Sequence, residues 1–344
     1  MSDADEKPSG NHHRREPTVS ELPERVLDTY ARLWQFETWL RRLVYIELRA
    51  LAGDNWTSKI HGTEGPKEAD KRLTHMPTPE EDPLSYAQFK ELCRVILDEW
   101  RLFEPFLPPR SIWEAKLEEI IQVRHRVAHF RTGHRDDLER VVQLLRDIDH
   151  GFWHFCTSYN DAQPVLPPSE DQVVGHFLHL DPFPWGHTSD GAWVRCGIAD
   201  PEAHLGVTIE VLCRPWASWS TPVAGKEGLV YDVMVSARRN QAFDYRRFLQ
   251  STSSLHRHMI HICLDSLALA VRVTIPALLG TDEVIRIVER IVTTSRYCLA
   301  PSSLRDPSDD SVQKLANLWP EHVLGPENPL TFLAPDMPCS FFRV

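Results

Sequence analysis

Apolar residues recur along the first half of the chain at intervals of three and four. From Glu21 to Ala52 the positions Val26, Tyr30, Leu33, Leu40, Val44 and Leu48 form one stripe. No Gly or Pro lies between Pro23 and Gly53, so a helix is predicted over that span. Gly53-Asp54-Asn55 stops it, and residues 57–83, which mix Gly, Pro and charge, read as a surface loop. A second helix is predicted from about Leu84 to Leu102, with Phe89, Leu92, Val95, Ile96 and Trp100 on one side. Pro105, Pro108 and Pro109 break it. A third begins near Ser111, whose spacing to Glu114 is that of a capping box, and carries Leu117, Ile120, Ile121, Val123 and Val127. A fourth runs from Asp136 to about Tyr159, with Leu138, Val141, Val142, Leu145, Ile148 and Phe152. Residues 21–162 are thus expected to form an all-helical bundle, and the polar, aperiodic residues 1–20 a disordered tail.

Pro164, Pro167 and Pro168 mark a linker over 163–169, and the period changes beyond it. Short β-branched runs such as Gly206–Leu212 and Leu229–Val235 read as strands. Residues 262–275 fit strand or helix, and Val284–Val292 places Ile285, Val288, Ile291 and Val292 on a helical face. Residues 170–344 therefore read as a mixed α+β domain, which makes the chain α+β overall with an all-α first part. That first part is expected to fold without the second.

Composition narrows the partners. Across 344 residues the formal net charge is −11, which excludes coating of nucleic acid by a broadly basic surface but leaves room for a local basic site. No apolar run approaches the roughly 18 residues that span a bilayer, and the first residues are polar, unlike a signal peptide. Neither membrane association nor secretion is expected. The seven cysteines (Cys93, Cys156, Cys196, Cys213, Cys263, Cys298 and Cys339) are odd in number and scattered, with no CxxC pair. They read as reduced thiols of a cytoplasmic protein.

The segment Ile120–His129 carries the candidate chemistry, in the order Arg124, His125, Arg126, Val127, Ala128, His129. Histidine titrates near neutral pH and moves protons, while arginine holds its charge and presents a planar fork to phosphate. Cleavage of RNA through its 2′-hydroxyl needs both functions and no metal. At about 100° per residue, Arg124 and His129 stand roughly 140° apart on an ideal helix, so one copy does not place them on one face. His125 and His129 share a face, yet no third ligand is near in sequence, and no metal or other cofactor is expected. His256-x-His258-x-x-His261 reads as structural or as the edge of a substrate site, and His176-x-x-His179 as strand packing. Nucleotide-hydrolysing, dinucleotide-binding, serine-hydrolase and zinc-protease motifs are absent from the sequence.

The Arg124–His129 spacing resembles the R-x4-6-H motif of HEPN domains, small helical bundles many of which are ribonucleases. Phe36-Glu-Thr-Trp-Leu-Arg41 resembles the first helix of the abortive-infection-like HEPN families, Ala52–Trp56 its end, and Leu84–Trp100 the helix that follows. The resemblance covers about residues 21–160. It implies a metal-independent endoribonuclease, in a toxin or antiviral-defence setting, in which Arg124 polarises the phosphate and His129 transfers protons. His125 would support them, and Glu37 would point toward the motif, although a helix ion pair to Arg41 four residues on explains Glu37 equally well. It also implies a homodimer with two motifs across a two-fold axis, which would relieve the separation of Arg124 from His129. The second domain would sense a trigger, bind a regulatory protein or ligand, or hold the nuclease inactive. A HEPN fold used as a non-catalytic dimerisation module is the alternative. Arg131 stands two positions after His129, where toxins controlled by adenylylation often carry tyrosine, so that control is not expected.

Overall fold

The computed structural model describes residues 24–76, 82–129, 131, 133–160, 171–197, 204–218, 223–302 and 312–325, without the side chains of 149–160. The expected tail (1–20) and linker (163–169) lie outside the described residues.

The first half is helical. Helix α1 spans Glu24–Ala52 and is followed by a 3₁₀ segment, Gly53–Lys59, which turns at Gly53 with φ +56°. Helix α2 (Glu64–Lys71) stands where the sequence suggested loop; it has no buried residue, so it lacks the apolar stripe by which such a helix is read. The expected helix from Leu84 to Leu102 is divided. A 3₁₀ turn over Pro83–Tyr86 is capped by the Asp82 carboxylate on Leu84 N, α3 runs Phe89–Asp98, and a short α4 covers Trp100–Phe103. Helix α5 spans Arg110–Ala128 with Pro109 at its cap and no side-chain cap bond, so the expected capping box at Ser111 does not form. Proline fixes φ in the helical range and gives up an amide that the first turn leaves unbonded in any case, so Pro109 can open the helix without a capping side chain. Helix α6 spans Asp137–Asn160.

The second half is built on a five-stranded sheet in the order β3-β4-β7-β6-β9, formed by β3 (Leu205–Cys213), β4 (Leu229–Ala237), β6 (His261–Leu264), β7 (Ala270–Pro276) and β9 (Val323–Leu324). All neighbours are antiparallel except β6 with β9. Two small antiparallel pairs accompany it: the hairpin of β1 (Trp185–His187) with β2 (Trp193–Arg195), and the long-range pair of β5 (Gln241–Phe243) with β8 (Leu299–Pro301). Alternation along β4 sends Leu229, Tyr231, Val233 and Val235 to one apolar face. That face packs with α7 (Gln172–Phe177), α8 (Tyr245–Thr252), α9 (Thr281–Tyr297) and α10 (Val312–Leu318).

The two halves share a core. Leu212, Val230, Ile260 and Leu324 of the sheet half belong to the same buried cluster as Leu40, Leu43, Val44 and Leu48 of α1. Every residue of α1 from Leu43 to Ala50 is buried. Polar bonds cross the same boundary: Gly228 N donates to Ala50 O at 2.9 Å and Tyr45 Oη to Ile260 O at 2.7 Å. The Glu47 carboxylate, fully buried, pairs with Arg214 and accepts Trp216 Nε1 at 2.7 Å. This packing runs against the expectation that the first 162 residues fold without the rest. A fragment would strip Glu47 of both partners and expose the apolar end of α1.

Candidate functional site

Arg124 lies four residues before the end of α5, with its side chain turned to α1. Its Nε donates to Glu37 Oε2 at 2.9 Å and its Nη2 to Glu37 Oε1 at 3.4 Å. Glu37 also pairs with Arg41, one turn on along α1. Arg41 is itself anchored, Nε to Leu84 O at 2.9 Å and Nη2 to Ala87 O at 3.4 Å, by the turn that precedes α3. The Arg124 guanidinium stands 5.5 Å from the centre of the Phe89 ring. Both readings of Glu37 therefore hold at once: it forms the helix pair with Arg41 and it meets the motif arginine. One carboxylate between two guanidinium groups leaves a local excess of positive charge in a chain that is acidic overall.

Arg124, Glu37, Arg41 and Ser85 line a groove of about 510 Å³, with Tyr30 and Trp34 of α1 on its wall. Tyr30 is 59% exposed and Trp34 56%. Sequence periodicity assigned Tyr30 to the core stripe and passed over Trp34. The early turns of α1 pack through Thr29 and Leu33, which leaves Tyr30 and Trp34 on the open side of the helix. The signal available was the i,i+4 spacing of the two aromatic rings with Glu37 and Arg41 on the following turns.

The histidines stand apart from this groove. His129 closes α5 at φ −101°, ψ 17°, outside helical geometry, and its amide bonds back to His125 O at 3.3 Å. The two rings meet edge to face, 4.4 Å between centroids, and both residues are exposed. Neither lines the Arg124 groove; on an ideal helix His125 stands about 100° and His129 about 140° from Arg124. Within one chain the structure joins Arg124 to Glu37 and His125 to His129, but does not join the two pairs.

Arg126 has a local task. It makes a two-point pair with Asp137 at the start of α6, Nε to Oδ2 at 3.0 Å, and Asp137 also accepts His134 N at 2.8 Å. Burial is the largest influence on Asp137 and opposes its ionisation, but the hydrogen bonds from Arg126 and His134 N together with the Arg126 charge outweigh it and keep the carboxyl below the usual range. The turn that carries His129 is thereby pinned at both ends.

The other histidines fall in the second half. His176 and His179 lie in and just after α7, a helical turn and not a strand, and are exposed. His256 and His258 are in a 3₁₀ segment and His261 opens β6, so the three do not converge. Among the described residues, no group of three or more His, Cys, Asp or Glu side chains could hold a metal ion. No described helix is long and apolar enough to cross a membrane. No family model, curated protein or solved structure matches the chain.

Proposed function

We propose that the chain is a HEPN-type endoribonuclease that cleaves RNA by attack of a 2′-hydroxyl on the adjacent phosphorus. The observation that carries this reading is the groove in which Arg124 and Arg41 flank Glu37 beside the exposed rings of Tyr30 and Trp34. Guanidinium groups hold a phosphate, and exposed aromatic rings stack the splayed bases of single-stranded RNA. Glu37 fixes Arg124 through Nε and Nη2, so the plane of the guanidinium is set before substrate arrives.

His129 acts as the proton-transfer group. It would accept the 2′-hydroxyl proton or donate one to the departing 5′-oxygen, leaving a 2′,3′-cyclic phosphate and a 5′-hydroxyl. Because His125 and His129 sit outside the groove of their own chain, the reaction centre is composite: the groove of one copy receives the histidines of a second across a two-fold axis. Acid–base work and charge neutralisation then come from side chains alone, without a metal or other cofactor. The setting is that of a cytoplasmic toxin or antiviral effector whose second half regulates the nuclease.

Arg124 already spends two of its donor nitrogens on Glu37. That observation favours a second reading, a HEPN-type dimerisation module without catalysis. Incubation of purified protein with RNA in EDTA separates the two. The nuclease reading expects fragments with 2′,3′-cyclic ends and none from His129→Ala; intact RNA with the wild-type chain, or equal cutting by both, overturns it.

A further inference from the structure

Residues of both halves enclose a second cavity, about 610 Å³, whose walls carry Arg49, Asp54, Lys67, Asp82, Arg257 and His258. Asp54 and Arg257 are exposed, and the Arg257 guanidinium is held by its neighbour in sequence. Its Nε donates to His258 Nε2 at 3.0 Å. A guanidinium only donates, so that ring nitrogen is the acceptor, and His258 Nδ1 carries the hydrogen given to Asp54 Oδ2 at 2.6 Å. Asp54 is steadied in turn by Arg49, whose Nη1 lies 3.4 Å from Oδ1 and whose Nη2 donates to Arg257 O at 2.9 Å. The chain Asp54–His258–Arg257 fixes the guanidinium plane, while its two terminal nitrogens bond to no other described residue.

Three acids also line the cavity, Asp54, Asp82 and Glu321, and each has a partner other than Arg257. Asp54 is engaged by His258 and Arg49, Asp82 accepts Leu84 N at 2.9 Å, and Glu321 lies 3.5 Å from His322 Nε2. Lys67 of α2 adds a second cation, and Tyr45 and Trp56, in edge contact 5.1 Å between centroids, supply an aromatic wall. Small-molecule sites occupy about 300–1,000 Å³, a range that includes this cavity and far exceeds a lone phosphate ion.

We infer that this cavity binds a small phosphate-bearing ligand of nucleotide size, with Arg257 as the phosphate anchor, His258 and Asp54 as its positioning residues and Lys67 as the second cation. The site shares no side chain with the Arg124 groove, so it stands independently of the nuclease reading.

Isothermal titration of the full chain with ATP, pyrophosphate and inorganic phosphate tests it. Saturable binding is expected, tightest for ATP. Arg257→Ala is expected to weaken it roughly 10-fold or more, the usual cost of one charged hydrogen-bonding partner. Arg257→Lys, which keeps the charge and loses the fork, should fall between, and Arg124→Ala should bind as wild type. Arg257 is exposed, and circular dichroism checks that its variants stay folded. Failure of all three compounds to bind at millimolar concentration overturns the proposal. So does wild-type affinity in Arg257→Ala, or loss of binding in Arg124→Ala, which would move the ligand to the groove.

Discussion

Helix α1 carries two glutamates, Glu37 and Glu47, that are built into the same kind of cluster. Each meets an arginine from a distant part of the chain, and each arginine lies over a phenylalanine ring: Arg124 at 5.5 Å from Phe89, Arg214 at 5.8 Å from Phe106. Their surroundings are opposite. The Glu47 and Arg214 side chains are 0% and 3% exposed; those of Glu37 and Arg124 are 13% and 38%. Buried on all sides, the Glu47 cluster fixes the sheet half to the helical half and has no access to a ligand. Open to a groove with aromatic walls, the Glu37 cluster costs little to form and can meet a phosphate. The same chemistry therefore serves architecture at one end of the helix and, in the reading proposed, catalysis at the other. Solvent access separates the two.

Stability measurements can break that comparison. The largest effect is expected at the buried pair. Arg214→Ala leaves an uncompensated carboxylate at Glu47 and should cost about 3–5 kcal/mol in denaturant unfolding. A loss below about 1 kcal/mol would place it with surface pairs and erase the contrast.

Next comes pH. Burial pushes His256 and His322 down to about 4, and on unfolding each returns to the ordinary value of about 6.5. Over that window the unfolded chain binds more protons, so the stability these two rings supply is present above it and is lost as pH falls through it. Each ring should contribute on the order of 3 kcal/mol to the loss. His322 Nδ1 lies 3.2 Å from Tyr45 Oη, so the acid transition should begin at the contact between the halves. Hydrogen exchange at α1 during acidification checks this; loss confined to α5 and α6 would contradict it. A fragment of residues 1–162 lacks the sheet half of that contact altogether and should show lower helicity per residue and a broad, weak melting transition.

The smallest stability effect is expected in the groove. Arg124→Ala should shift unfolding by less than about 1 kcal/mol, since a half-exposed pair is largely screened and Arg41 still neutralises Glu37.

The helical half was legible because its stripes are long: α1 and α6 begin and end within a few residues of the bounds the spacing predicts, and α5 begins one residue from its predicted start. The strands β3 and β4 were legible from their β-branched runs. The break between β6 and β7 was not. It rests on the Asp265 carboxylate, which accepts Leu267 N at 2.7 Å and Leu269 N at 3.0 Å, and on Ala268 at φ +55°, where sequence reasoning looks for Gly or Asn. At the site, the meeting of Arg124 with Glu37 was expected only from the resemblance, whereas the Glu37–Arg41 pair follows from the i,i+4 spacing of a helix. The shared core could not be read, since Glu47 and Arg214 lie 167 positions apart and only the folded chain brings them together.

The account turns on whether the open cluster does chemistry that the buried one cannot. The most direct measurement is the rate of RNA cleavage by Arg124→Ala in EDTA, taken on protein whose unfolding curve matches wild type. The account predicts a fall of about 10²–10⁴ in rate, of the size seen when a positioned charged or proton-transfer group is removed. Cleavage at the wild-type rate would contradict it.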